Sequence, residues 1–171
     1  MGAPTFFQFV VVILLSILIL LFSPKAFAAS TTKVDVFQIT DISTQESMPL
    51  IYQSLVVYRR HGADVDIYGY DLDKEKEFPL VLRPNEQVPT GLFENFLVYD
   101  DYVDISVDYS DVRMLNVKTG KDILIAGGPG NQTSGVTNGN HVVYIDGTGA
   151  CGKVMSFNLP RVSHFKLLSY C

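Results

Sequence analysis

The chain has 171 residues, enough for one domain with its own core, and carries a formal net charge of −5. A mildly acidic chain lacks the basic patch that nucleic acids and anionic membranes select, which argues against both as partners. Beyond its amino-terminal segment the sequence is rich in Val, Ile, Tyr and Phe, with recurring Gly and Asn-Gly turns. This composition is typical of β structure.

The first 28 residues have the pattern of a targeting segment. An apolar run at 9–22, interrupted only by Ser16, has the length of a signal-peptide hydrophobic region, and Ala26-Phe27-Ala28 is a small-x-small cleavage site. No Lys or Arg precedes the run, so an uncleaved membrane anchor is the alternative, although the run is short for a span of about 20 residues. We expect a secreted, periplasmic or cell-surface protein, with membrane contact only if this segment is retained. Cleavage removes Lys25 and leaves a net charge of −6.

One six-residue pattern occurs three times after the targeting segment. The copies are LVVYRR, FLVYDD and HVVYID, and their motif tyrosines are Tyr58, Tyr99 and Tyr144. The tyrosines lie 41 and 45 residues apart, and a period of about 40–45 residues is that of a four-stranded propeller blade. The pattern predicts a lead-in segment at 29–44, with a strand at Lys33–Thr40, followed by three repeats. Their predicted bounds are about 45–84, 85–128 and 129–171.

Each repeat is predicted to contain four strands in the same order. A short turn precedes each motif strand, and Asn138-Gly139-Asn140 is the clearest because Asn and Gly tolerate positive φ. The motif strand is apolar on both faces, which fits an inner strand packed between neighbouring sheets. The other turns are Gln53-Ser54 and Glu94-Asn95. The predicted third strands are 66–72, 112–117 and 153–159, and the predicted fourth strands are 77–82, 122–126 and 165–170.

The repeated unit resembles that of TolB-like bacterial β-propellers. The first repeat, with VVYRR followed by DIYGYDL, is the best copy, and the resemblance covers about residues 45–171. It implies an all-β fold of three antiparallel propeller-type blades and a non-catalytic scaffold that binds a protein or glycan. A closed propeller has at least about four blades, so three repeats predict a partial or truncated propeller with exposed edges. An antiparallel β-sandwich is the alternative fold.

The two cysteines flank the last predicted hairpin. Cys151 precedes its first strand and Cys171 follows its second, and a turn at 160–163 places them nearly opposite each other. Because an exported protein meets an oxidising compartment, we predict a Cys151–Cys171 disulfide. Free thiols, or a bond from Cys171 to another chain, are the alternatives.

The charged ends of the motif strands differ between repeats, and we predict that they begin binding loops. The residues concerned are Arg59, Arg60, His61, Asp100, Asp101, Tyr102 and Asp146. The acidic segment at 100–111 also offers a weak calcium candidate at Asp100, Asp101 and Asp104. It lacks the central Gly and closing Glu of an EF-hand loop, so a solvated loop between two strands is the alternative.

The sequence contains no G-x-S-x-G elbow and no H-E-x-x-H motif. We therefore expect no catalysis and no cofactor. The leading hypothesis is an exported binding module. The alternatives are a structural subunit that self-associates through exposed blade edges, as a homo-oligomer, and an inactive truncated copy of a larger propeller protein.

Overall fold

The computed structural model describes residues 35–40, 43–104, 106 and 109–160, and the strand at 163–169. The targeting segment at 1–28 and Cys171 lie outside the described residues. The chain divides into two units, Met1–Phe37 and Gln38–Cys171. Twelve strands are described, all in the second unit. The described residues contain no helix that is long and apolar enough to cross a bilayer.

The strands form three groups of four, and neighbours within each group pair antiparallel in chain order. Blade 1 comprises β1 (Gln45–Tyr52), β2 (Leu55–His61), β3 (Val65–Asp71) and β4 (Lys76–Val81). Blade 2 comprises β5 (Glu86–Phe93), β6 (Phe96–Asp104), β7 (Tyr109–Asn116) and β8 (Lys121–Ala126). Blade 3 comprises β9 (Gln132–Thr137), β10 (His141–Asp146), β11 (Lys153–Asn158) and β12 (Ser163–Ser169). The prediction of three four-stranded antiparallel blades is confirmed.

The predicted lead-in strand is not formed over the part of it that the structure describes. Residues 35–39 have no regular secondary structure and Thr40 lies in a bend. A strand needs a partner for its backbone N–H and C=O groups, and the described strand pairs do not include residues 35–40. The alternating sequence at 33–40 therefore does not by itself specify a strand.

Each first strand carries a β-bulge opposite its motif tyrosine. In blade 1, Ser47 pairs with Arg59 and Leu50 with Val57, so two residues oppose Tyr58. The first strands of the other two blades shift register opposite their own motif tyrosines. Each fourth strand also shifts register. The shift lies next to the third-strand residue that pairs with the motif tyrosine. Because a bulge bends a strand and increases its twist, the row of the motif tyrosine is where every blade turns.

The blades pack face to face through two apolar clusters. One face of blade 1 meets the Tyr99 face of blade 2, and the other face of blade 2 meets the Tyr144 face of blade 3. The first cluster contains Val57, Ile67, Val81, Leu97, Tyr99 and Leu115. The second contains Val98, Val112, Met114, Ile125, Val142, Tyr144 and Phe157. The motif strand of blade 2 is apolar on both faces because a neighbouring blade covers each face. Each large side chain buried in this way contributes roughly 1.5–3 kcal/mol.

Candidate functional site

The predicted binding residues lie in strands, mostly at their ends, and their role in binding stays a prediction. Arg59, Arg60 and His61 are the last residues of β2, and Asp146 is the last residue of β10. In blade 2 the strand β6 continues to Asp104, so the start of the acidic segment is not a solvated loop. These charges remain in strands because groups on neighbouring strands and blades bind them.

Asp100 and Asp101 do not form a common metal site. Both are buried, with 3% and 4% exposure, and as successive strand residues they face opposite sides of the sheet. Asp100 accepts hydrogen bonds from β9, whereas Asp101 pairs with Arg83 at 3.1 Å. The side chain of Asp104, the third calcium candidate, lies outside the described residues. Among the described side chains, no group of three His, Cys, Asp or Glu residues is suited to hold a metal ion.

In blade 1, the motif tyrosine belongs to a charged cluster on one face. Tyr58 donates to Glu77, and Arg60 donates to both oxygens of the same carboxylate. Arg60 also pairs with Glu46 at 3.1 Å and lies 4.4 Å from the ring centre of Tyr68. The hydrogen bond to Glu77 raises the pKa of Arg60. Burial, followed by the bond to Glu77, raises the pKa of Tyr58, so the cluster holds Tyr58 neutral.

The opposite face of the same strand contains a Ser–His pair. The Ser47 hydroxyl lies 3.2 Å from Nε2 of His61, which is the geometry of a nucleophile and its base. However, Nη2 of Arg59 lies 3.2 Å from the same ring nitrogen, and Arg59 also pairs with Glu86 of blade 2. Because a guanidinium is always a donor, it occupies the lone pair that would take a proton from Ser47. This contact favours a structural role for His61 in joining blades 1 and 2.

A second charged cluster lies where blade 1 meets blade 2. Tyr99 donates to Oδ2 of Asp122 over 2.7 Å. Arg113 donates to the Tyr99 oxygen at 3.2 Å, and Arg83 reaches from the interblade connection to Asp122 at 3.2 Å. Burial raises the pKa of Asp101, and the attraction of Arg83 is the largest opposing effect. The cluster therefore places two guanidinium groups against one tyrosine and two carboxylates.

Two buried glutamines were not found from the sequence. Gln87 donates to Pro84 O at 3.0 Å and to Asp101 Oδ1 at 3.3 Å, and Gln132 donates to Pro129 O at 3.4 Å. The available signal was a repeated Pro-x-x-Gln, written PNEQ and PGNQ. In blade 1 the equivalent position is Glu46, which faces Arg60 in the same register. The first repeat thus has an ion pair where the other repeats have an amide–carboxylate pair. A search for identical residues therefore does not find the motif in the first repeat.

A groove of about 460 Å³ runs along the first strands of all three blades. Its walls are mostly apolar, and Met48 and Val136 expose 49% and 51% of their surface. The groove is lined by Met48, Pro49, Leu50, Val88, Pro89, Thr90, Asp100, Tyr102, Thr133, Ser134 and Val136. Contacts of β5 with both β1 and β9 hold the three strands side by side.

One buried carboxylate lines this groove. Oδ2 of Asp100 accepts hydrogen bonds from the Thr133 hydroxyl and from the Ser134 amide at 3.0 Å. Oδ1 of Asp100 is buried and has no hydrogen-bond partner. Burial raises the pKa of Asp100, and the hydrogen bonds from β9 oppose that shift. The groove therefore combines mostly apolar walls with one buried carboxylate that β9 holds in place.

No protein-family model and no curated protein matches the chain. TolB from Acinetobacter baumannii superposes with a TM-score of 0.62 at 10% identity, over 75% of this chain and 33% of that one. The β-propeller domain of the Trilobed protease from Pyrococcus furiosus gives a TM-score of 0.57 at 10% identity, over 72% and 43%. The chain thus spans less than half the length of either structure. Its fold is that of a TolB-like β-propeller, represented here by three blades.

Proposed function

We propose that this chain is an exported binding module whose groove along β1, β5 and β9 receives an extended segment of a partner protein. The observation that carries the proposal is the pairing of exposed apolar walls with the unpartnered Oδ1 of Asp100. A volume of about 460 Å³ lies within the roughly 300–1,000 Å³ typical of ligand pockets. The groove is therefore suited to a few side chains rather than to a folded domain.

The chemistry of the lining favours a peptide over a glycan. Apolar side chains such as Met48, Leu50 and Val88 form most of the wall, and protein partners gain affinity by burying such surfaces. Asp100 lies among them and adds a directional contact for one donor, such as a backbone or side-chain N–H. The expected ligand is a short segment with apolar side chains on both sides of that donor.

A selected peptide tests the groove. We would select binders to the full chain from a random peptide display library and measure their affinity by calorimetry. Val136→Glu places a charge in the groove, and Leu82→Glu is the matched control because Leu82 is 58% exposed and does not line the groove. We expect Val136→Glu to weaken binding by about tenfold or more, equivalent to about 1.4 kcal/mol, with Leu82→Glu unchanged. Equal affinities for both variants would remove the groove as the site.

Self-association is a second candidate, supported by exposed apolar residues on the first strand of blade 1. Ile51 is 64% exposed and Met48 is 49% exposed, and contiguous apolar surface favours association. Light scattering on the full chain distinguishes the two candidates. A concentration-dependent dimer mass that Ile51→Lys abolishes supports assembly, whereas a monomer mass over the whole range contradicts it.

We also propose export to the periplasm, cell surface or medium, on the strength of the apolar run and the Ala26-Phe27-Ala28 site. Intact mass of protein recovered from an exporting host tests this. Loss of residues 1–28 supports cleavage, and a full-length mass in the membrane fraction supports the anchor alternative.

A further inference from the structure

The first two blades each hold a guanidinium group against the motif tyrosine. In blade 1, Arg60 pairs with Glu77 and approaches the Tyr58 oxygen to 3.5 Å. In blade 2, Arg113 donates to the Tyr99 oxygen at 3.2 Å, and Arg83 enters from the interblade connection. The cluster is thus a recurrent receptor for guanidinium, assembled from different parts of the sequence.

Blade 3 keeps only part of this receptor, because its fourth strand has His164 at the register position of Glu77 and Asp122. Gln132 pairs with Asp146 in the same register as Gln87 with Asp101. The aromatic position is filled by Tyr144, which is 5% exposed.

The two arginines have no counterpart at the equivalent positions of blade 3. Tyr99 pairs with Arg113, whereas Tyr144 pairs with Met155. Arg83 immediately precedes Pro84, whereas Gly128 immediately precedes Pro129. Among the residues that the structure describes, the junction of blades 2 and 3 therefore has the Asp146 part of the receptor without either guanidinium.

A crevice of about 420 Å³ opens at this position. Its lining includes the apolar residues Leu124, Ala126 and Met155 and the polar residues Gln132, Tyr144, Asp146 and Thr148. Gln132 is only 4% exposed, and its Oε1 has no hydrogen-bond partner. A buried amide oxygen without a donor costs free energy that a ligand N–H recovers.

The charge of the crevice suits a cation. Burial alone would raise the pKa of Asp146, but donors from Thr148 and Gln132 and the attraction of Lys153 hold it below its ordinary value. Asp146 is therefore an anion at neutral pH. The Lys153 ammonium lies 3.6 Å from Oδ2 of Asp146, beyond hydrogen-bond distance. Lys153 therefore forms an ion pair with Asp146 but not a direct hydrogen bond.

We propose that the crevice between blades 2 and 3 binds a guanidinium group from outside the chain, in the place that Arg83 and Arg113 fill between blades 1 and 2. The flat, weakly hydrated faces of a guanidinium pack against apolar side chains while its edges donate hydrogen bonds, and Met155 and Gln132 offer these two kinds of contact. The group is supplied either by an arginine of another protein or by a small guanidinium compound. This site is separate from the groove of the proposed function.

Titration of the full chain, followed by NMR chemical shifts, tests the proposal. The probes are ethylguanidinium, ethylammonium and neutral ethylurea. We expect saturable shifts of the Gln132 side-chain amide and the Thr148 amide with ethylguanidinium, and at least tenfold weaker binding of the other two. Met155→Arg fills the crevice as Arg113 does in blade 2 and should abolish the shifts, whereas Val136→Glu in the groove should leave them. Equal responses to all three probes, or shifts that survive Met155→Arg, would overturn the proposal.

Chemical rescue provides a test independent of the crevice variants. Arg83→Ala empties the equivalent position between blades 1 and 2, and low ethylguanidinium should restore part of the lost melting temperature while ethylammonium should not. Absence of rescue contradicts the claim that these clusters select guanidinium. A blocked Ala-Arg-Ala peptide then separates the two sources. Tighter binding than ethylguanidinium at the crevice assigns the site to a protein arginine, and weaker binding assigns it to a small compound.

Discussion

Tyr99 donates a 2.7 Å hydrogen bond to Asp122, joining the second strand of blade 2 to the fourth across the strand between them. Tyr58 makes the equivalent bond to Glu77 in blade 1. Both tyrosines lie in the row where the first and fourth strands bulge. In blades 1 and 2 the motif tyrosine thus fastens the fourth strand in the row where the first and fourth strands bulge.

Replacing Tyr99 by Phe should destabilise the protein by about 1–3 kcal/mol, because it removes the donor that Tyr99 supplies to Oδ2 of Asp122. Urea unfolding measures the change. Tyr109→Phe is the matched control, since Tyr109 is 42% exposed, and it should change stability by less than about 0.5 kcal/mol. Equal effects of the two variants would mean that the hydrogen bond from Tyr99 to Asp122 does not contribute to stability.

Gly135→Ala should destabilise the contact between blades 2 and 3. The added methyl would lie 2.6 Å from Val98 Cγ1 and 2.7 Å from Val112 Cγ1, and forced overpacking of a core costs roughly 1–3 kcal/mol. Gly62→Ala is the control because its nearest atom, the Asp64 carbonyl oxygen, is 3.4 Å away. Thermal unfolding of both variants should separate them. A Gly135→Ala protein as stable as Gly62→Ala would show that the blades can move apart freely.

The stability of the Asp100→Asn variant, relative to that of the parent protein, should increase as pH rises. Burial places the folded pKa of Asp100 above its ordinary value, so the unfolded chain releases this proton at a lower pH than the folded protein does. The parent protein therefore loses stability between pH 3.8 and the folded pKa, and the loss persists above that range. The neutral side-chain amide of the Asp100→Asn variant has no proton to release in this range, so the variant does not lose this stability.

Denaturant unfolding from acidic to neutral pH measures the difference between Asp100→Asn and the parent. Asp71→Asn is the control with the opposite sign, because the bond from Lys74 lowers the pKa of Asp71. That carboxylate contributes stability above its unfolded pKa and loses it as pH falls through the folded value. Parallel slopes for the two variants would contradict the assignment.

The Cys151–Cys171 disulfide remains a prediction, since Cys171 lies outside the described residues. Its support is the strand register: Lys153 pairs with Ser169, and each cysteine lies two residues beyond this pair. Cys151→Ser should then cost roughly 3 kcal/mol in the chain-entropy model. Alkylation before and after reduction, read by mass, tests the bond directly. Two adducts only after reduction support it, and adducts without reduction contradict it.

Strand order was predictable because it rests on local signals. The turns at Gln53-Ser54 and Glu94-Asn95 lie between observed strands as predicted, since short polar turns between alternating apolar runs encode a hairpin locally. The motif strands were predicted to be covered on both faces, and Val57, Leu97 and Val98 are 0% exposed. The blade pattern is therefore readable from a single chain.

The contacts and burial of the charged residues could not be predicted from local signals. Asp100 is bound by Ser134, 34 residues away, and Arg83 reaches Asp122, 39 residues away. The first contact joins two blades and the second joins an interblade connection to a blade, so no local pattern distinguishes these carboxylates from those of a solvated loop. Their burial follows only once the blades are stacked.

The Pro-x-x-Gln latch also has an evolutionary consequence. Gln87 and Gln132 each fasten an interblade connection to the start of the blade that follows it. Recombination between the two Pro-x-x-Gln segments adds or removes one complete repeat. The junction that results still contains an intact Pro-x-x-Gln segment. The number of blades can thus change in one genetic step, without a new sequence for the interblade connection.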